Sequence, residues 1–110
     1  MRIGVVGQQA DLTYDYDYLG AGPDSLAGLT KARILKSTPD FVKALKGAER
    51  AAVIVGMGAL GRPDGAAVLR AAAEVAKAVG VVREGWNGWN VLHTAAARVG
   101  GLDMGFAPKA

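Results

Sequence analysis

The sequence predicts an α/β fold in which a short parallel sheet is flanked by helices. Three observations carry this. The run Ala51–Val55 is apolar throughout and ends at a glycine, the pattern of a strand covered on both faces. After it, Val68, Ala72, Val75 and Val79 recur at helical spacing on one face, while Arg70, Glu74 and Lys77 fall on the other; that is an amphipathic helix. Val81 and Val82 then follow Gly80 as the start of a further strand. Strand, helix and strand make one βαβ unit, which closes by a right-handed crossover. The expected assembly is a small three-layer Rossmann-like arrangement, a single α/β domain over residues 1–110.

Taken in order, Arg2–Val6 is a short β-branched apolar run that stops at Gly7 and reads as a buried strand. Asp11–Gly22 is polar and aromatic, broken by Gly20, Gly22 and Pro23, and reads as a loop or extended segment. Asp24 or Ser25 can cap a short helix that carries Leu26, Leu29 and Ile34. Thr38-Pro39-Asp40 is a cleaner start: the threonine hydroxyl accepts from first-turn amides, and proline suits the first helical position because it has no N–H to satisfy. Phe41, Val42 and Leu45 form the apolar face of that helix, and Gly47 ends it. The βαβ unit follows, with its helix starting near Asp64 and stopping at Gly80. A last helix is expected over Asn90–Val99, burying Leu92, Ala96 and Val99 and ending at Gly100-Gly101.

Composition bounds the function. With 51% hydrophobic and 21% charged residues in 110, the chain is globular and has a modest core. It has no cysteine, so no disulfide, thiolate zinc site or cysteine-ligated iron–sulfur cluster belongs to this stretch. The net charge of +3 is spread along the chain without a basic run, which argues against nucleic acid as a partner. No apolar run approaches the ~18 residues of a membrane span. The opening residues read as strand and lack the layout of a secretory leader.

Chemistry-bearing patterns are few. Gly56, Gly58 and Gly61 give GxGxxG between a strand and a helix, where glycine lets backbone amides approach a phosphate. The helix is expected only after Pro63, later than in a dinucleotide-binding turn, and Glu84 is the sole nearby acid for a ribose. The turn therefore reads either as an anion site or as a tightly packed crossover. Tyr14, Tyr16 and Tyr18 alternate with Asp15 and Asp17, so an extended chain puts the rings on one face. They form either a partner-docking strip or a cover for the chain's own core. Trp86 and Trp89, in GWNGWN, either anchor a partner or flat ligand or fill a packed loop. His93 is the one histidine and has no companion ligands in the sequence pattern; no G-x-S-x-G elbow occurs, and Asp64 and Asp103 fit turn caps.

Three blocks together resemble one family. DLTYDYDYLG (Asp11–Gly20), VIVGMGALGRPDGAAVL (Val53–Leu69) and GWNGWNVLHTAAARVGGLDMGF (Gly85–Phe106) look like the C-terminal part of the large iron–sulfur subunit of respiratory complex I. This is the G subunit of bacterial NADH–quinone oxidoreductase and the counterpart of the mitochondrial 75 kDa subunit. The resemblance implies a longer parent whose N-terminal iron–sulfur clusters pass electrons from NADH towards quinone. It also implies a C-terminal region similar to molybdopterin-dependent oxidoreductases such as formate dehydrogenase, generally without the molybdenum cofactor. The present chain would be a fragment of that region, with no cofactor of its own. Its implied partners are the rest of the subunit and other peripheral-arm subunits, on the cytoplasmic side of the inner membrane or the matrix side in a eukaryote, without membrane insertion. Molybdopterin enzymes often carry GMG-x-x-Q-H-x-x-G near their cofactor. Here Gly56, Gly58 and Gly65 keep that frame, but Gly61-Arg62 replaces Gln-His. The resemblance thus implies a vestigial cofactor turn kept as scaffold, with Tyr14, Tyr16, Tyr18, Trp86 and Trp89 as interface candidates. The alternative is a small nucleotide- or pterin-binding module that uses Gly56–Gly65.

Overall fold

The computed structural model describes residues 1–31 and 38–108. Ile34, and the Thr38 hydroxyl expected to cap the second helix, fall outside the described groups. The chain is mixed α/β. In order it runs β1 (Gly4–Val6), β2 (Asp17–Gly20), α1 (Pro23–Lys31), α2 (Thr38–Gly47), β3 (Val53–Val55) and α3 (Met57–Leu60). It continues with α4 (Gly65–Val79), β4 (Val82–Arg83), β5 (Trp86–Asn87), β6 (Trp89–Val91) and α5 (Arg98–Asp103).

The parallel pairing expected from the apolar strands is present, distributed over two pairs. β1 pairs with β2 and β3 with β6, both parallel, while β4 and β5 form a minimal antiparallel hairpin. Arg2 clamps the first pair: its guanidinium donates to both carboxylate oxygens of Asp17, at 2.8 and 3.2 Å. That hydrogen bond holds the Asp17 carboxyl below the usual carboxylate range.

α4 organises the core. Val75 packs with Leu19, Leu29 and Phe41 into one cluster, which Val6, Leu26, Val42 and Leu45 flank. One residue on, Ala76 joins Val79, Ala51 and Val81 in a second cluster, bordered by Leu45, Val53 and Trp89. The amphipathic period read from the sequence therefore faces both clusters at once. Gly80 ends α4 in the left-handed conformation, φ 68°. Its amide donates to Lys77 and that of Val81 to Ala76, the paired carbonyl capping that glycine permits after a helix. The cap turns Val81 inward, where it is fully buried.

Two expectations are corrected. Val81–Val82 does not extend the parallel sheet: Val82 is exposed and belongs to the β4–β5 hairpin. The strand beside β3 is β6, inside the segment whose spacing suggested a helix over Asn90–Val99. Backbone bonding overrides the local period there: Val53 donates to the Gly88 carbonyl at 2.8 Å and Leu92 to that of Val55 at 2.9 Å. The final helix begins only at Arg98 and runs through Gly100-Gly101. It stops at Gly105, φ 84°, where Phe106 donates to Gly101 and Gly105 to Leu102. Leu92, Ala96 and Val99, expected in the core, are exposed.

The chain is open for its size. Its Cα radius of gyration is 15.2 Å, against ~13 Å for a compact domain of this length. Its accessible surface is 8247 Å², roughly 2,500 Å² above the ~5,700 Å² of a monomer of this mass. Ile54, Val82, Leu92, Val99, Leu102, Met104 and Phe106 all lie exposed.

Candidate functional site

The glycine turn leaves the carboxyl end of β3, the place where open α/β sheets receive ligands. A one-turn helix, α3, starts immediately after Gly56, earlier than the sequence suggested, and the main helix starts at Gly65. Much of the turn's hydrogen bonding is internal: Ala59 donates to Gly56 at 3.1 Å, Gly61 to Met57 at 2.8 Å and Gly65 to Arg62 at 2.9 Å. The three glycines differ in kind. A Cβ on Gly65 would overlap the Leu60 carbonyl, so Gly65 is required for α3 to fold against α4. At Gly56 and Gly58 an added Cβ meets nothing within 4 Å.

Charge in the turn is already balanced. Arg62, standing where the pterin-enzyme pattern has histidine, donates from Nε and Nη2 to the two Asp64 oxygens at 2.7 and 3.0 Å. This hydrogen bond lowers the Asp64 carboxyl below its ordinary range and raises Arg62. Asp64 occupies the cap position of α4 but makes no side-chain cap bond, because Arg62 holds its carboxylate. An anionic cofactor would meet a neutralised arginine and a carboxylate at the mouth of α4.

Gly58→Ala is an expected neutral change. The position is helical and open, and alanine is favoured over glycine in a helix by up to about 1 kcal/mol. A thermal melt should match or slightly exceed that of the unchanged chain; a clear loss would show that Gly58 is packed.

The tyrosines do not form one free strip. The Tyr16 hydroxyl donates to the Ala10 carbonyl and accepts from the Ala10 amide, and the Tyr18 hydroxyl donates to Gly7 at 2.9 Å. Both pin the segment after β1, while Tyr14 is half exposed. All three rings border a shallow depression of about 280 Å³ with Asp11 and Asp15. The tryptophans lie on β5 and β6. Trp86 Nε1 donates to the Ala51 carbonyl at 2.8 Å, and the Arg50 guanidinium stands 5.7 Å from its ring. Trp89 packs on the Ala51–Val81 cluster and walls a cleft of about 390 Å³ with Ala73, Lys77 and Val82. His93 is exposed. Among the described residues no three of His, Cys, Asp or Glu gather as metal ligands, and no helix is long and apolar enough to cross a membrane. Sequence reasoning missed Gly88, flanked by the two tryptophans, whose amide donates to Val81 and whose carbonyl accepts from Val53, both at 2.8 Å. The GWNGWN spacing was the available signal.

The molybdopterin oxidoreductase family model matches residues 1–110. The chain belongs to the molybdopterin oxidoreductase family. Within it, the chain is 41% identical over 108 residues to the mitochondrial NADH dehydrogenase (ubiquinone) iron-sulfur protein 1 of Solanum tuberosum, covering 98% of this chain and 14% of that protein. The G subunit of NADH-quinone oxidoreductase from Rickettsia conorii is 34% identical over 106 residues, 96% of this chain and 15% of the relative. Its counterpart from Rickettsia prowazekii is 45% identical over 69 residues, 63% of this chain and 10% of the relative. The resemblance drawn from the three sequence blocks is borne out. The chain spans about one-seventh of the length of the first two relatives.

Proposed function

We propose that this chain is a structural α/β segment of the large iron–sulfur subunit of an NADH–quinone oxidoreductase. The observation that carries the reading is the 41% identity over 98% of the chain to an NADH dehydrogenase iron–sulfur protein. On this reading the parent polypeptide passes electrons from NADH towards quinone through clusters held elsewhere. Residues 1–110 contain no cysteine to ligate a cluster, which supports a non-catalytic role for the segment itself. Its task is packing, against the rest of the subunit and its peripheral-arm neighbours, on the cytoplasmic or matrix side of the inner membrane. The surplus of exposed surface supports this. The Gly56–Gly65 turn serves as inherited scaffold, a reading supported by the Gly65–Leu60 approach and the closed Arg62–Asp64 pair.

An antibody raised against residues 1–110 tests the proposal in the source cells. The expected band on a denaturing gel is several times heavier than 11.3 kDa, and on a native gel it migrates with NADH-oxidising activity. A free 11.3 kDa species would overturn it. Saturable binding of NADH or a guanine-dinucleotide pterin by such a species would then favour the binding-module reading.

A further inference from the structure

The β3–β6 pair has two faces, and this chain covers one. Val55 on β3 is buried, on the side where Val53 packs towards the Ala76 cluster of α4. Strand alternation puts Ile54 on the opposite side, in register with Asn90, and Leu92 two positions further along. Ile54 is 65% exposed and Leu92 56%. Ala52, Ile54, Asn90 and Leu92 along this outer face include no charge. Asn90 turns its amide back along the strand, donating to the Gly88 carbonyl at 3.1 Å, so the face makes little polar demand on a partner.

We infer that an amphipathic helix, supplied by the parent polypeptide outside residues 1–110, packs its apolar stripe on Ile54 and Leu92. The inference rests on the parent-subunit reading above. Parallel strands are covered by helices on both faces, because the crossovers that join them place helices there. Of the chain's own helices, α1 and α3 pack on α4 and α2 supplies Phe41 to the Leu19–Val75 cluster, which leaves α5 as the rival cover among the described residues. The contact is to a face and not an edge, so side chains and not backbone ladders must make it; this selects a helix over an added strand. An uncharged face selects an apolar stripe. A helix laid there completes the third layer expected from the uninterrupted apolar run Ala51–Val55.

The test is thiol protection in the full-length native polypeptide. The 110-residue stretch has no cysteine, so Ile54→Cys or Leu92→Cys gives the only thiol in its own peptide. Modification by N-ethylmaleimide is followed by mass spectrometry in buffer and in urea. The expected result is modification at least about tenfold slower in buffer at both positions. A benzophenone maleimide at either thiol should crosslink to residues outside 1–110 of the same polypeptide, spaced i, i+3, i+4 and i+7. Should Ile54→Cys disturb assembly, Leu92→Cys reads the same face from the neighbouring strand. Equal rates in buffer and urea overturn the inference. So do crosslinks to residues 98–106, which would make α5 the cover, or to an alternating i, i+2 pattern, another polypeptide or lipid. A native polypeptide of about 11 kDa overturns the parent reading and this inference together, whereas a long polypeptide with fast modification overturns this inference alone.

Discussion

Gly88→Val is expected to unfold the chain, or to lower its stability by about 4 kcal/mol or more. A Cβ at this position would overlap the Ala51 carbonyl oxygen and stand 2.9 Å from Trp86 Nε1 and 3.0 Å from Ala52 Cα. It would therefore intrude on the 2.8 Å hydrogen bond from Trp86 to Ala51. The link between β5 and β6 cannot simply back away. Its amide donates to Val81 and its carbonyl accepts from Val53, both at 2.8 Å, so retreat breaks the contact between β3 and the β6 segment. Each buried group left unpaired costs about 1–3 kcal/mol, and the overlap is with backbone, which no rotamer relieves. Against a total of ~5–15 kcal/mol for an ordinary domain, a core this small leaves little reserve. Denaturant unfolding followed by tryptophan fluorescence measures it directly. A variant within about 1 kcal/mol of the unchanged chain would show that β3 and β6 are not held through Gly88.

The contrast between Gly88 and the glycines of the GMG turn shows what the sequence made legible. Much of the buried face of α4 was readable, though not Gly65 or Ala76. Its buried positions Val68, Ala72, Val75 and Val79 were read from a 3.6-residue period, and Gly80 is its left-handed stop. The period reports a helix with one apolar stripe, and α4 has such a stripe, shared between two clusters. The β6 segment is a strand instead. Leu92, Ala96 and Val99 have helical spacing, yet the backbone at Trp89–Val91 pairs with a strand more than thirty residues away, information that no local window contains. Gly100-Gly101 looked like a stop for the same reason, while Gly105, with Phe106 behind it, makes the cap. At the candidate site, the glycine pattern located the turn, but it did not separate a glycine needed for packing, Gly65, from those with open space, Gly56 and Gly58. The Arg62–Asp64 pairing was equally hidden, because two charged residues flanking a proline carry no signal of their mutual geometry. Of the alternating tyrosines only Tyr18 lies on a strand, and the Ala10 and Gly7 partners of Tyr16 and Tyr18 lie in a preceding loop with no pattern of its own.

Val55→Asp and Ile54→Asp are expected to separate by several kcal/mol in the 110-residue chain. The sequence offers no distinction between them: both are β-branched, adjacent and in the same apolar run. Val55 is 6% exposed beneath α4, and its carbonyl accepts from Leu92 at 2.9 Å. A carboxylate there is buried without a partner, at a cost of about 3–5 kcal/mol, enough to abolish the cooperative transition of a marginal domain. Ile54 points the other way and is 65% exposed, so its loss is limited to strand propensity, about 1 kcal/mol or less. Urea unfolding of both variants decides the matter; equal losses would mean that the two faces of β3 are equally covered within these residues. The same pair then becomes a probe of the longer polypeptide. If a helix from outside residues 1–110 lies on Ile54, then Ile54→Asp, tolerated in the short chain, should destabilise the assembled subunit about as much as Val55→Asp does. An apolar run that looks over-specified for this piece would then be the trace of a layer that the piece does not contain.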